Sequence, residues 1–158
     1  MNGEIIIIRG LPGAGKSTLA DSIAHGLPVC EADKYDGLYS TDADGTVHFH
    51  GGDKVDGVPM IALAHQACQE ACRISLRENG RAIVANTFTQ GWEFAEYIQI
   101  AEEHGARIVV VDVFDGGCSD EELAARNTHG VPLAGIQAMR ARWEGDWRNA
   151  DKRPPWQR

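Results

Sequence analysis

The stretch IIIIRGLPGAGKSTLA, residues 5–20, decides the class of fold. It opens with a run of β-branched residues that ends at Arg9 and predicts a strand. A glycine-rich turn follows, and apolar residues then recur at helical spacing. The phosphate-binding pattern G-x-x-x-x-G-K-[ST] belongs at such a strand-to-helix junction. Four residues match it: Gly10, Gly15, Lys16 and Ser17. The stretch therefore predicts a P-loop.

Each residue type of the motif has a physical role at a phosphate. Glycines let backbone N–H groups turn toward phosphate oxygens, and a helix that begins near Lys16 adds free N–H groups and a positive dipole end. Lys16 supplies a charge for the β- and γ-phosphates, and Ser17 a hydroxyl for Mg²⁺. A tight turn without a ligand is the alternative, but it gives lysine and serine no reason to follow the last glycine. We expect ATP and Mg²⁺ to bind through a continuous set of residues: Gly10, Leu11, Pro12, Gly13, Ala14, Gly15, Lys16, Ser17 and Thr18.

Composition places the chain among ordinary globular proteins. A length of 158 residues allows one domain with a real core. No apolar run is long enough for a membrane anchor and no signal peptide is visible, so we expect a cytoplasmic protein without membrane partners. The cysteines are too few and too scattered for a disulfide framework, so we expect reduced thiols. The net charge of −8 is uneven, with −12 in residues 1–125 and +4 in residues 126–158.

Strand and helix patterns alternate along the rest of the chain. We predict a short strand ending near Glu31, a hairpin closed at Asp44–Gly45, a helix from about Val58 to Glu78, the strand RAIVAN, the helix WEFAEYIQIAEEHG and the strand RIVVVDVF. The last strand is apolar on both faces, which is typical of a buried parallel strand. The long helix is expected to bury the stripe Met60, Leu63, Ala67, Ala71 and Ile74.

This alternation predicts an α/β fold, a P-loop three-layer sandwich whose parallel sheet is covered on both sides. Ser119 and Glu122 form a capping box for a further helix. We expect one P-loop domain over residues 1–158, with a helical lid at about 119–144 and a C-terminal tail at 145–158. No protein partner is indicated.

Asp33 is the candidate general base. It lies just past the second strand, and the carboxyl ends of neighbouring parallel strands face one crevice. A carboxylate there can accept the proton of an attacking hydroxyl during phosphoryl transfer. The alternative is a solvated aspartate in a turn.

The segment LAARNTHGVPLAGIQAMRARWE, residues 123–144, predicts a helical hairpin broken at Gly130–Pro132. It carries three arginines: Arg126, Arg140 and Arg142. Arginines on a closing lid can stabilise the transferring phosphoryl group, and the lid can exclude water. Arg126, beside the break, is the best candidate, and we interpret Arg142 as a solvated surface charge.

The third strand ends in neutral polar side chains: Asn86, Thr87, Thr89 and Gln90. Many P-loop ATPases have an acidic residue here that organises Mg²⁺. Neutral groups are better suited to orienting an acceptor, so a motor or switch is less favoured than a kinase.

Five segments, GLPGAGKSTLA, EADKY, AH at 64–65, VANTFTQGWE and the hairpin, are similar in order and spacing to the polynucleotide-kinase-like P-loop kinases, an ATPase domain of the AAA_33 type. That group includes phage polynucleotide 5′-kinases and phage kinases of 5-hydroxymethyluracil in DNA, so for a phage protein the host cytoplasm is expected. The resemblance implies four or five strands, Asp33 as general base, Lys16 and Ser17 on ATP·Mg²⁺, and Arg126 on the phosphoryl group. We expect the acceptor near Asp33, Tyr35, His65, Asn86, Thr87, Thr89, Gln90 and His129.

The sequence departs from this family at two places. The family's strand-three aspartate is replaced within VANT, and the arginine that follows its catalytic aspartate is replaced by Asp36. His129 occupies a lid position where a basic residue can occur.

Three functions remain open. A kinase of a DNA hydroxyl is favoured by the resemblance and by Trp147 and Trp156 among basic residues, although these tryptophans can instead pack the C-terminus. The net charge of −8 favours a small-molecule kinase for a nucleoside, nucleotide or antibiotic hydroxyl. A non-catalytic ATP-dependent binding protein is the third. The loop over residues 35–56 offers acceptor contacts: Tyr39, His48, Phe49 and His50.

A zinc site is geometrically conceivable among His48, His50, His65, Cys68 and Cys72. Their spacing matches no recognised zinc motif, and the alternative is that the cysteines pack as small apolar residues.

Overall fold

The computed structural model describes residues 2–158. Its elements in chain order are β1 (Glu4–Arg9), α1 (Lys16–Ala24), β2 (Val29–Cys30), β3 (Tyr39–Thr41), β4 (Val47–Phe49), β5 (Lys54–Val55), β6 (Val58–Pro59), α2 (Met60–Asn79), β7 (Arg81–Ala85), α3 (Ala95–His104), β8 (Arg107–Asp112), α4 (Asp120–Arg126) and α5 (Leu133–Ala141). Four of the strands form one parallel sheet in the order β2-β7-β1-β8. The predicted α/β class is confirmed, and the parallel sheet has four strands where four or five were predicted. Over residues 2–158 no helix has both the length and the apolarity to cross a bilayer.

The side chains of β1 point alternately to the two faces of the sheet, and this explains why helices cover both faces. Ile5 and Ile7 point to one face of the sheet, where residues of α2 and α3 cover them. Ile6 and Ile8 point to the other face and pack against α1. Because both faces of β1 are covered, its isoleucine run is almost completely buried.

The prediction that the fourth strand is buried is wrong. β8 pairs only with β1 and forms an edge of the sheet, and its side chains are exposed or only partly buried. Val109, for example, is 36% exposed. An apolar pattern on both faces shows that a strand can be covered, but it does not show that a second strand lies beyond it.

The predicted buried stripe of α2 is also wrong. Ala67, Ala71 and Ile74 are exposed. The helix buries instead Ala64, Cys68, Cys72, Ser75 and Leu76. This face is offset by one residue from the predicted stripe, which is about 100° around a helix. Cys68 and Cys72 thus take the buried positions that the prediction gave to Ala67 and Ala71.

The segment between β2 and α2 contains two short hairpins. β3 and β4 pair antiparallel with Tyr39 opposite Phe49, so the predicted hairpin around Asp44–Gly45 is confirmed. Gly45 has a positive φ of 88° in its turn. β5 and β6 form the second hairpin. Both hairpins lie on the path from the carboxyl end of β2 to the start of α2.

The hairpin of α4 and α5 packs directly on the P-loop. The predicted capping box is confirmed, because Ser119 Oγ accepts from Glu122 N at 3.1 Å and Ser119 N donates to the Glu122 carboxylate at 3.3 Å. Leu11 of the loop forms one apolar cluster with Leu123 and Ile136 of the hairpin. The approach is close enough that a Cβ on Gly13 would lie 2.6 Å from Leu123 O.

Arg9 joins the end of β1 to the segment after α5. Its guanidinium is fully buried and donates to Phe88 O at 2.6 Å and to Glu144 O at 3.0 Å. The same group lies 3.9 Å from the ring centre of Trp143. These contacts fix the end of the hairpin against the sheet.

The two tryptophans of the tail differ in exposure. Trp147 is buried and stacks on Phe94 with ring centres 4.2 Å apart, so it packs the C-terminal segment onto the turn that precedes α3. Trp156 is 73% exposed and contacts the edge of Trp92.

Candidate active site

A cleft of about 350 Å³ opens at the carboxyl end of the sheet. Six segments line it: the P-loop with the start of α1, the turn after β2, the β3–β4 hairpin, the start of α2, the end of β7 and the α4–α5 hairpin. In a parallel α/β sheet this is the edge where ligands bind. The cleft is therefore the site on which the predicted residues should converge.

The P-loop has the geometry that its glycines predict. Gly15 has a φ of 107° and α1 begins at the next residue, Lys16. The Lys16 ammonium donates to Leu11 O at 3.0 Å across the loop. Burial lowers the pKa of Lys16 to about 8, although the negative charges of Asp33 and Glu31 partly oppose this shift. The lysine is thus held over the loop within the field of two carboxylates.

Glu31 is a charged residue of the cleft to which the sequence assigned no role. Its Oε1 accepts a hydrogen bond from the Ser17 hydroxyl at 2.9 Å. The Lys34 ammonium lies 3.4 Å from Oε2. The signal was present, because Glu31 follows β2 as Asp33 does, but only the later residue was assigned a role.

Asp33 lines the same cleft as Lys16 and Ser17. Its Oδ1 accepts from the Tyr39 hydroxyl at 3.0 Å, and its Oδ2 lies 3.4 Å from His129 Nε2. Burial raises the pKa of Tyr39, and the negative charge of Asp33 acts in the same direction. The phenol therefore stays protonated and keeps donating to the carboxylate.

Asn86 and Thr87 also line the cleft. The Asn86 Oδ1 accepts from Ala32 N at 3.0 Å, which fixes the turn that carries Asp33. The oxygen is assigned by chemistry, since a backbone N–H can only donate. Asn86 thus contacts the protein's own backbone as well as facing the cleft.

Thr89 and Gln90 are not at the cleft. The buried Thr89 hydroxyl donates to Glu93 Oε2 at 2.8 Å and accepts from Arg142 Nε at 3.0 Å. Gln90 Oε1 accepts from Trp92 Nε1 at 3.1 Å. The expectation that these two side chains orient an acceptor does not fit this placement, because both are bonded within the turn before α3.

The three hairpin arginines have different surroundings. Arg126 lines the cleft, where its Nη1 contacts Cys118 Sγ at 3.1 Å. Arg140 pairs with Asp115 at 3.0 Å and Asp120 at 2.6 Å. Arg142 is exposed, as interpreted from sequence, but it also donates to Thr89. Of the three, only Arg126 reaches the cleft.

Two aromatic residues and a histidine meet at the mouth of the cleft. The rings of Tyr39 and His129 stack with centres 5.2 Å apart, and Phe49 lies 5.3 Å from Tyr39. Phe49 is 57% exposed. We call these three residues the aromatic shelf.

Of the other residues expected to contact the acceptor, one lines the cleft and the rest do not. His65 lines the cleft, and burial lowers the pKa of its imidazole. Tyr35 packs beside Ala32 and Leu38 and does not line the cleft. His48 and His50 bond within the hairpin region, to Asp42 at 2.6 Å and to Ser40 at 2.6 Å.

The five residues considered for zinc do not converge. Cys68 and Cys72 lie in the core between the sheet and its helices. The two histidines, His48 and His50, instead pair with the exposed carboxylates of Asp42 and Asp53. Over residues 2–158 no group of three potential ligands is close enough to hold a metal ion. Burial raises the pKa of Cys72 to about 12, so its thiol is not poised to become a thiolate ligand.

The glycine loop between β1 and α1, set on a parallel sheet covered by helices, defines a P-loop α/β domain. A family model described as AAA domain, AAA_33, matches residues 5–145. The chain therefore belongs to the AAA_33 family.

Two individual proteins give more distant similarities. Human (Homo sapiens) NEDD4-binding protein 2 is 27% identical over 143 residues, which are 85% of this chain but only 7% of that protein. A gluconokinase from Sinorhizobium meliloti 1021 is similar in structure with a TM-score of 0.49 and 19% identity, over 91% of this chain and 78% of the gluconokinase chain. The chain thus spans a small part of its curated relative.

Proposed function

We propose that the protein is an ATP-dependent kinase that transfers the γ-phosphoryl group to a hydroxyl of a nucleic-acid or nucleotide-type acceptor. One observation carries the proposal: the Asp33 carboxylate lines the same cleft as the P-loop residues Lys16 and Ser17. The effect of the Asp33 charge on the pKa of Lys16 also indicates that the two side chains are near each other. A base and a phosphate-binding lysine in one cleft are the parts that phosphoryl transfer needs.

The proposed reaction uses the residues of the cleft in separate roles. The acceptor oxygen attacks the γ-phosphorus, a new O–P bond forms, and the bond from the γ-phosphorus to the bridging oxygen of ADP breaks. Asp33 takes the proton of the acceptor hydroxyl. Lys16 and Arg126 stabilise the negative charge on the phosphoryl oxygens. The α4–α5 hairpin, packed on the loop, restricts water that would otherwise hydrolyse ATP.

The residues present also fit a magnesium ion bound with ATP. Ser17 and Glu31 place a hydroxyl and a carboxylate side by side at the start of α1, and oxygen ligands of this kind suit Mg²⁺. Bound Mg²⁺ would neutralise part of the phosphate charge during transfer.

The tyrosine and histidine neighbours keep Asp33 directed into the cleft. A carboxylate has about four lone-pair positions, so contacts with these two side chains still leave room for an acceptor hydroxyl. Tyr39 reaches Asp33 from the β3–β4 hairpin and His129 from the α4–α5 loop. Two segments that are distant in the chain thus hold one base.

The aromatic shelf supports an acceptor with a planar ring. Phe49 is a large apolar side chain that stays more than half exposed beside the cleft. Stacking of a base on an exposed aromatic ring stabilises a complex by roughly 1–3 kcal/mol. Acceptors that combine a ring with a hydroxyl include the 5′-OH of a polynucleotide and the hydroxymethyl group of 5-hydroxymethyluracil in DNA, as in the family that the sequence resembles.

A second candidate is a kinase of free nucleosides or other small molecules. The net charge of −8 favours it, because a negative protein repels a polyanion. The shelf fits both candidates, so the acceptor assay must separate them.

The test is an incubation with γ-labelled ATP and a panel of acceptors: 5′-OH oligonucleotides, DNA with 5-hydroxymethyluracil, free nucleosides and an aminoglycoside. We expect label on one nucleic-acid or nucleotide acceptor, and Phe49→Ala should raise its KM by about tenfold with little change in kcat. His48→Ala, in the same hairpin but paired with Asp42, is the matched control. Label on none of the panel, with only slow ATP hydrolysis, would refute the kinase proposal.

A further inference from the structure

Glu31 is directed to the P-loop serine and not to the acceptor side of the cleft. Its side chain is only 12% exposed, and the Ser17 hydroxyl donates to it at 2.9 Å. The ammonium of Lys34 lies near its second oxygen at 3.4 Å. Both oxygens thus have partners, and one of these partners is the hydroxyl that the motif assigns to Mg²⁺.

The end of β7 offers no carboxylate for a cation. The strand ends at Ala85, which is buried, and Asn86 follows it. The Asn86 oxygen already accepts from Ala32 N, and its nitrogen faces Cys68 Sγ at 3.5 Å. In other P-loop NTPases an aspartate from a strand in the sheet helps to hold Mg²⁺. The end of β7 in this chain carries no such group.

The other carboxylate of the cleft has different partners. Asp33 contacts Tyr39 and His129, both on the acceptor side, and no hydrogen bond joins it to Ser17. The single residue between the two acids, Ala32, is held by Asn86. One short turn therefore directs one carboxylate toward the P-loop and the other toward the aromatic shelf.

We propose that Glu31, together with Ser17, holds the Mg²⁺ that binds with ATP, and that it replaces the carboxylate missing from β7. Asn86 acts through the backbone of Ala32 and is a positioning residue for Glu31. The inference rests on the proposed function only in requiring that the cleft bind ATP with Mg²⁺; it does not depend on which acceptor is used.

The test is the gain in nucleotide affinity that Mg²⁺ provides. The dissociation constant of AMP-PNP, a non-hydrolysable ATP analogue, is measured by calorimetry with Mg²⁺ and again with EDTA, and the ratio of the two is the magnesium gain. Glu31→Gln should lower this gain by about tenfold or more, as loss of a metal-organising carboxylate does elsewhere. Affinity in EDTA should not fall, because the removed charge repels phosphate.

Two variants control for charge and location. Asp33→Asn removes the same charge from the same cleft and should keep the wild-type magnesium gain. Glu78→Gln removes an exposed carboxylate near the end of α2 and should also keep it. The inference would be overturned if Glu31→Gln kept the wild-type magnesium gain. It would also be overturned if Asp33→Asn lowered the magnesium gain as much as Glu31→Gln does.

A second measurement needs no substitution. In the wild-type protein, Mn²⁺ added with AMP-PNP should broaden the carboxyl carbon resonance of Glu31 more strongly than that of Asp33. Stronger broadening at Asp33 would overturn the inference even if Glu31→Gln fails to fold. A protein whose magnesium gain depends on Glu31 but that labels no acceptor keeps this inference and loses the proposed kinase function.

Discussion

Lys16 gives the cleft a pH dependence that can be worked out from its surroundings. Burial lowers the pKa of this lysine to about 8, while its ammonium keeps one hydrogen bond, to Leu11 O at 3.0 Å. In the protein without nucleotide the charged fraction then falls from about nine-tenths at pH 7 to about one-tenth at pH 9. Phosphate binds the charged form, so the affinity for AMP-PNP with Mg²⁺ should fall about tenfold over this interval.

The stability of the nucleotide-free protein should change in the opposite direction. The folded pKa of Lys16 lies below its ordinary value of 10.5, so between about 8 and 10.5 the unfolded chain binds more protons than the folded one. The contribution of this group to the free energy of unfolding therefore rises with pH across that window. Its full size is about 3 kcal/mol, which is the upper limit by which Lys16→Met should stabilise the free protein at neutral pH.

Calorimetry at pH 7, 8 and 9 measures the affinity, and urea unfolding of the same samples measures the stability. Lys16→Arg is the matched control, since a guanidinium stays charged throughout this range and should show no such pH dependence. Wild-type affinity that is constant from pH 7 to 9, or that falls equally in Lys16→Arg, would refute the reasoning.

Two further substitutions test the packing around the cleft. Gly13→Ala combines a φ of 81° with a Cβ only 2.6 Å from Leu123 O, so it should cost more than the roughly 1–3 kcal/mol of a strained backbone alone. Gly26→Ala has a similar φ of 89° but open space, and a urea midpoint that falls equally in both variants would contradict the close approach. Asn86→Ala removes the acceptor for Ala32 N and should lower kcat by about tenfold to a hundredfold, with a smaller change in acceptor KM. An unchanged kcat would show that the turn is held without Asn86.

Features fixed by local spacing were predicted well from the sequence. The P-loop needs only the glycines, lysine and serine in order, and Lys16 begins its helix as expected. The capping box at Ser119 spans three residues and was also visible. The position of Asp33 could be predicted because a residue that directly follows a parallel strand lies at the carboxyl edge of the sheet, where the P-loop also lies. In each case neighbouring residues in the chain carry the information.

Features that depend on distant partners were missed or misplaced. The contact between Ser17 and Glu31 joins the first turn of α1 to the turn after β2, and no pattern in the chain pairs the two residues. Thr89 looked available for an acceptor, but Glu93 and Arg142 use its hydroxyl. The buried face of α2 and the edge position of β8 were misplaced for the same reason, because what covers a face is decided by other segments.

Single-turnover transfer from γ-labelled ATP, measured for the wild type and Asp33→Asn together with nucleotide affinity on the same samples, tests the central claim most directly. The account predicts that Asp33→Asn binds ATP as the wild type does but transfers the phosphoryl group about 10²–10⁴ times more slowly to the acceptor found in the panel. Undiminished transfer by Asp33→Asn would contradict the claim that this carboxylate takes the proton of the attacking hydroxyl.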